Sequence, residues 1–436
     1  MRRNKLLVLS VLAAASLALP AAVYAEAVPE TEEETVSAAD AEEDSVTELE
    51  IVEGEKLVLC ENEYASVILQ SVEDDDVYVW YLVLENKTES SSLLFSADDV
   101  VVNGYCIDPG LGTSVEAGEQ EESDMTWYPE DFQAAGFDEA TSVDFTIKVT
   151  DYDDVSKDPY INEHLIVYPQ GKENAEFPEY EITEDDVILA DTDSLLFVIT
   201  GEESDEFTGY ELSVYVENRA DVKTKVAWNH VSVNGYAADP YWQCEVPAHA
   251  KAVGTIEWST DSLDKHVPSD EDISGILFTL KQTYEADWWA FEDYFNEQLA
   301  YYPDGEENYR ESEREPGEND QLLIDIDEMK LTFIGTTLDD FFGYMVDVLM
   351  ENKTEEELMI SVEDASINGE SINSMWAYQL FSGAKAIEVI PCMFGNFEDS
   401  GISVDDIETI ELHLRVTKAA DWMAGPIFDD TVTIRP

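Results

Sequence analysis

Five histidines, four cysteines and 99 acidic side chains are the groups in this 436-residue chain that could carry chemistry. A metalloprotease helix needs two histidines one turn apart with a glutamate between them, whereas His164, His230, His249, His266 and His413 stand singly. No G-x-S-x-G elbow presents a nucleophilic serine, and no glycine-rich phosphate loop occurs. Paired carboxylates serve a glycosidase, but with 99 acids such pairs arise by chance and single out no site. Cys60, Cys106, Cys244 and Cys392 form no C-x-x-C pair and keep no common spacing. They read as buried or free thiols rather than as a zinc or redox centre. The expectation is a non-enzymatic protein with no catalytic residue and no cofactor; a carboxylate-based enzyme is the least favoured alternative.

Two features remain that could bind something. Asp74-Asp75-Asp76, Asp151-Tyr152-Asp153-Asp154 and Asp191-Thr192-Asp193 bring hard oxygens together, which makes Ca²⁺ the natural ionic partner. These clusters do not recur in register, and solvated loop charge explains them as well. The second feature is aromatic: Tyr241-Trp242, then Trp288-Trp289, Phe291, Tyr294 and Phe295, set among carboxylates. Flat rings beside acids can stack on sugar rings or anchor a protein. Trp288, Phe291 and Phe295 have helical spacing, which predicts a buried face over 288–295. Tyr241, Trp242 and Trp289 are then the candidate ligand-binding residues.

The charge narrows the partners. With 22 basic residues against 99 acidic ones, the net charge is −77. Nucleic acid and anionic lipid surfaces both require a cationic face. At 44% apolar and 11% aromatic the chain can nonetheless fill several cores. An unknown extracellular protein or a glycan is the expected partner, with no nucleic acid.

Arg2, Arg3 and Lys5 precede an apolar run, Leu6 to Leu19, and Val23 and Ala25 occupy a small-residue cleavage site. This is the pattern of a secretory signal peptide over 1–25, too short for a comfortable membrane span. No membrane insertion is expected after cleavage. The product is expected to be secreted, free or loosely attached to the cell envelope. Residues 26–49, rich in Glu, Ala, Thr and Ser, read as an acidic disordered linker.

The elements that must position any site come from a repeat of about 133 residues. Glu85-Asn86-Lys87-Thr88 recurs as Glu217-Asn218-Arg219-Ala220 and Glu351-Asn352-Lys353-Thr354. Val102-Asn103-Gly104-Tyr105 recurs as Val233-Asn234-Gly235-Tyr236 and, in part, as Ile367-Asn368-Gly369-Glu370. Alternate residues precede the first landmark in each copy: Tyr78, Trp80, Leu82 and Leu84; Tyr210, Leu212, Val214 and Val216; Tyr344, Val346, Val348 and Met350. That period predicts strands with one core face. Asn-Gly predicts tight hairpin turns. Seven or so short strands per copy predict an all-β chain of antiparallel β-sandwiches over 50–170, 180–303 and 320–436. Short helical turns are expected over 129–135, 261–265 and 397–400. The linkers 171–179 and 304–319 predict copies set like beads with limited contact.

The order Gly-Tyr, alternating apolar residues, Glu-Asn, then Val-Asn-Gly-Tyr resembles immunoglobulin-like modules of unknown function in exported proteins of Gram-positive anaerobes. The Ala-Asp-Pro step of such modules is matched by Ala238-Asp239-Pro240, with Ile107-Asp108-Pro109 in the first copy. The third copy departs, with Glu370 for Tyr and no Asp-Pro; the first has Val77 where Gly209 and Gly343 stand. The resemblance implies three tandem immunoglobulin-like β-sandwiches and no catalytic residue. The resulting expectation is an exported binding or display protein acting at the cell envelope. The alternative is a secreted glycan-binding accessory that uses the second copy's aromatics. N-terminal sequencing of the exported protein should read from Glu26, and an intact Met1 would refute the signal assignment.

Overall fold

The computed structural model describes residues 46–436 apart from 53, 206–208, 269–271, 288–289, 340–342, 393–403 and 422–424. The expected signal peptide, most of the acidic linker, the turn at 397–400, Trp288 and Trp289 lie outside the described residues. The end of the presumed linker is a strand: Thr47–Glu50 pairs in parallel with Ile161–Tyr168. Leu49 rests on the first core, which is what draws this stretch out of the spacer.

The chain is mostly β-sheet, with two short α-helices, Pro129–Ala134 and Thr260–His266, among the described residues. The landmark strands Tyr78–Asn86, Gly209–Asn218 and Gly343–Asn352 form where the alternation requires. Their predicted faces are buried in all three copies. Each of these strands is flanked by an antiparallel partner on either side, giving a four-stranded sheet per copy. In the first copy the order runs Leu57–Glu61, Ala65–Asp74, Tyr78–Asn86, Gln120–Trp127. A second sheet, built on Leu93–Val102, Thr224–Val233 or Leu358–Ile367, packs across it. Three apolar clusters fill the space between the sheets. In the second, Trp228 stacks on Phe278 with ring centroids 3.7 Å apart.

Two predictions require correction. The aromatic segment is no helix: Ala290–Tyr301 is a strand paired along Ile276–Asp287. Phe291 is 67% exposed instead of buried. Continuous strand pairing overrides the helical spacing, and two bulges in the hairpin break the alternation that would have revealed it. Nor do the copies sit like beads. Tyr105 of the first copy pairs in parallel with Lys251 of the second, and Tyr236 of the second with Lys385 of the third. The second sheet of one copy thereby continues into the first sheet of the next, making composite sheets of ten and nine strands. The cause is the open edge of each sandwich, whose unpaired amides are satisfied by the neighbour.

Two asparagines per copy hold the frame. Asn86, Asn218 and Asn352 are almost fully buried. Asn218 Nδ2 donates to the carbonyls of Val222, Val246 and Pro247, each at 2.9 Å, while Oδ1 accepts from Ala220 N and Gln282 Nε2. Asn86 and Asn352 bind the matching carbonyls and the following threonines. The Asn-Gly asparagines have φ of 51°, 48° and 51°, a left-handed conformation that suits Asn, and each is followed by a Gly of positive φ. Asn103 Oδ1 accepts from Thr141 N and Ser142 N; Asn234 Oδ1 accepts from Ser274 N and Gly275 N. Asn368 does the same with Glu408 and Thr409. These side chains tie a hairpin turn to the strand that returns across it.

The Asn218→Leu variant should lose at least about 3 kcal/mol, because several buried carbonyls lose their donor together. Urea denaturation followed by tryptophan fluorescence measures this on the earliest transition. A loss under about 1 kcal/mol would show that the amide is dispensable.

Candidate functional site

The Asn-Gly-Tyr edge of the second copy runs on through Ala238 and Asp239 and meets the third copy beside the helix Thr260–His266. Between them lies a groove of about 280 Å³, lined in part by His230, Asp239, Tyr241, His266, Tyr378 and Glu388. Asp239 Oδ1 accepts from Tyr241 N at 2.7 Å and sets the turn. Tyr241 has φ 53° and is 89% exposed, so its ring stands at the groove mouth. Ser259 caps the helix by accepting from Ser262 N, and the helix ends on His266.

Both histidines reach across the junction. His266 Nδ1 lies 3.0 Å from Ile387 O and 3.7 Å from Glu388 Oε1. A carbonyl only accepts, so Nδ1 carries the proton. His230 sits at a bulge between Asn229 and Ser232 with φ 53°. The bulge aims its ring at the third copy, where Nε2 is 3.0 Å from Glu357 Oε1 and the ring stacks on Phe381. The same device operates at the other junction. Asp99, φ 55°, sits in the corresponding bulge and pairs with Lys223 at 2.7 Å. The histidines are thus committed to bridging partners, which suits a clamp rather than proton transfer to a nucleophile.

Burial pushes the Glu388 carboxyl up, against the pull of His266 and Lys265. Burial also raises Asp239. The groove therefore offers carboxyl groups that take up protons readily, next to aromatic rings of Tyr241, Tyr378 and Phe381. Such a lining can hydrogen-bond hydroxyls and stack on a flat or sugar-like face.

Of the aromatic candidates, Tyr241 stands at the groove mouth. Trp242 is half-buried, with its ring edge-on to Phe197 at 5.7 Å and against the second core. Trp289 lies outside the described residues. The strand that follows it carries Phe291 and Tyr294 on the surface, and the Tyr284 ring lies tilted against Tyr294 with centroids 4.5 Å apart. Sequence reasoning missed His230, His266 and Glu388, which only the junction brings together. The signal available was the spacing of His230 from Asp99, equal to that of Tyr236 from Tyr105.

Two of the three acid clusters proposed for calcium already pair with a cation. Lys157 Nζ lies 2.7 Å from Asp151 and holds its carboxyl below the usual range. Asp191 pairs with Arg219 at 2.7 Å. Among the described residues no three His, Cys, Asp or Glu side chains converge as metal ligands. The four cysteines are free thiols, and burial pushes them up to about 11 for Cys106 and about 12 for the other three. No helix of the described residues is long and apolar enough to cross a membrane. No protein-family model matches the chain, and no curated protein matches it.

A carboxyl with a raised native pKa binds its proton more tightly in the folded state, so its contribution to stability falls as pH rises through that value. Glu388→Gln should therefore raise the melting temperature at neutral pH. It should also flatten the gain seen when the parent is acidified toward pH 5. Scanning calorimetry across that range checks this, and a parallel shift at every pH would rule it out.

Proposed function

We propose that the chain is an exported, non-enzymatic binding or display protein that acts at the cell envelope through three tandem immunoglobulin-like modules. The observation that carries this reading is Tyr241, 89% exposed on a turn fixed by Asp239, at a groove held open between two copies. A large ring presented on a rigid support costs little ordering entropy when it binds. The composite sheets support the reading further, since they fix the spacing of surfaces along the chain. The net charge of −77 keeps such a surface from anionic polymers and favours neutral or cationic partners.

A glycan ligand is the second reading. It is favoured by the pairing of the Tyr241 ring with the Asp239 and Glu388 carboxyls, the combination that stacks on and hydrogen-bonds a sugar.

Pelleting with washed envelopes of the producing cell tests the proposal. Tyr241→Ala should weaken binding by about tenfold, the effect of losing one anchor worth roughly 1.4 kcal/mol. Binding that is absent in the parent, or unchanged in the variant, would overturn it. A glycan array that stays blank with the intact protein would remove the second reading and leave a protein partner.

A further inference from the structure

The two junctions are built from the same positions. On one side stands the tyrosine after Asn-Gly, Tyr105 or Tyr236, both 2% exposed. On the other is a strand opened by lysine, Lys251–Trp258 or Lys385–Pro391. The lysine ammonium lies over the tyrosine ring, at 5.4 Å for Lys251 on Tyr105 and 5.6 Å for Lys385 on Tyr236. Of the next strand positions, Val253 packs into the joint with Tyr215 against the first core and Ile387 with Leu349 against the second, while Ala252 and Ala386 lie in their own copy's core. The segments read as linkers close over it. Lys251 Nζ donates to Pro178 O and pairs with Glu179, while Lys385 pairs with Glu311. Thr141 Oγ1 accepts from Glu176 N as Ser274 Oγ accepts from Arg310 N.

The outward faces of the first and third copies carry the same positions with different residues. Ladder register makes this comparison direct. Glu217 opposes Lys251 and Glu351 opposes Lys385, but Glu85 opposes Gln120. The following Glu121 and Glu122 stand where Ala252-Val253 and Ala386-Ile387 stand, and all three residues of the first copy are exposed. At the far end, Val102 opposes Tyr105 and Val233 opposes Tyr236, but Ile367 opposes Glu370. Glu370 and Ser371 are exposed. Among the described residues, Gln120–Trp127 and Glu370–Ile372 each form the unpaired edge of their sheet.

We propose that the tyrosine edge and the lysine strand form a directional connector between copies, and that Gln120-Glu121-Glu122 and Glu370-Ser371 close the two outward faces against a further copy. Addition of a second chain would press Glu370 against Glu121 and Glu122 on a desolvated edge with no cation between them. Like charges on an open edge are a device that stops strand-to-strand association, and polar outer faces terminate repeat assemblies. The assignment is independent of what the groove binds. It makes the occupant of the connector another copy of this repeat and of nothing else, because the apolar strand, the lysine and the tyrosine are complementary only together.

Five substitutions open both faces: Gln120→Lys, Glu121→Ala and Glu122→Val at one end, Glu370→Tyr and Ser371→Ala at the other. Sedimentation velocity in 0.5 M NaCl, where the Debye length is about 4 Å, removes the bulk repulsion between chains. The parent should stay a single species across the concentration series. The fivefold variant should pass into dimers and longer head-to-tail species, with more than ~half of it associated at the highest concentration. Either half-set alone should stay monomeric, since an open face then meets a closed one. A fivefold variant with parent-like circular dichroism and melting that stays monomeric overturns the proposal; so does a parent that self-associates. If the fivefold variant fails to fold, Tyr236→Glu with Ala237→Ser moves the closed face inward. It should increase the maximum dimension in small-angle scattering and open the part-buried Arg314, paired with Asp320, to trypsin. Unchanged scattering would show that these positions do not control coupling.

Discussion

A two-sheet sandwich leaves a strand edge whose amides and carbonyls must find partners or water, and this constraint organises the whole chain. Here the edge beyond the first two Asn-Gly turns is extended by Tyr105-Cys106 or Tyr236-Ala237, whose tyrosine pairs with the lysine that opens a strand of the following copy. The pairing is brief, but it brings a cation over a ring, an apolar stripe against an apolar stripe and a connecting segment across the seam. One sheet then belongs to two copies. The cores follow suit, for Leu196, Val198 and Tyr215 of the second copy pack within the first cluster, and Ala237 packs within the third.

Within each copy the equivalent task falls to asparagine. A buried amide has donors and acceptors enough to satisfy several stranded backbone groups at once, and burial makes each of those bonds costly to lose. Asn86, Asn218 and Asn352 close the turn after the landmark strand; Asn103, Asn234 and Asn368 tie the hairpin to the returning strand. This explains why these residues mark the repeat better than any apolar position. A core position accepts several hydrophobic side chains of similar volume, whereas a carbonyl-binding amide with a tolerated left-handed φ has few substitutes.

The groove between the second and third copies is a consequence of the same joint. The bulge that aims Asp99 at Lys223 in one junction aims His230 at Glu357 in the next, with the acid moved to the other side. This exchange puts a His–Glu pair and the part-buried Glu388 at the second joint where the first has a Lys–Asp pair. The exposed Tyr241 sits beside them because the Asp239 turn follows directly from the connector strand.

The alternation before Glu-Asn, the Asn-Gly turns and the period of the repeat were legible without coordinates, because strand faces and tight turns are set by nearest neighbours along the chain. The short helices at Pro129 and Thr260 were legible for the same reason. The strand Ala290–Tyr301 was not, since its aromatic spacing satisfies a helix and only pairing with Ile276–Asp287 decides otherwise. The half-buried state of Trp242 depends on Phe197, 45 positions away. The joining of Tyr105 to Lys251, and of His266 to Glu388, links residues more than a hundred positions apart. Local chemistry therefore determined the building block and its number of occurrences. Which edges meet, and which side chains face each other across them, was decided by folding, because edge complementarity is a property of two surfaces and neither is readable from one strand alone.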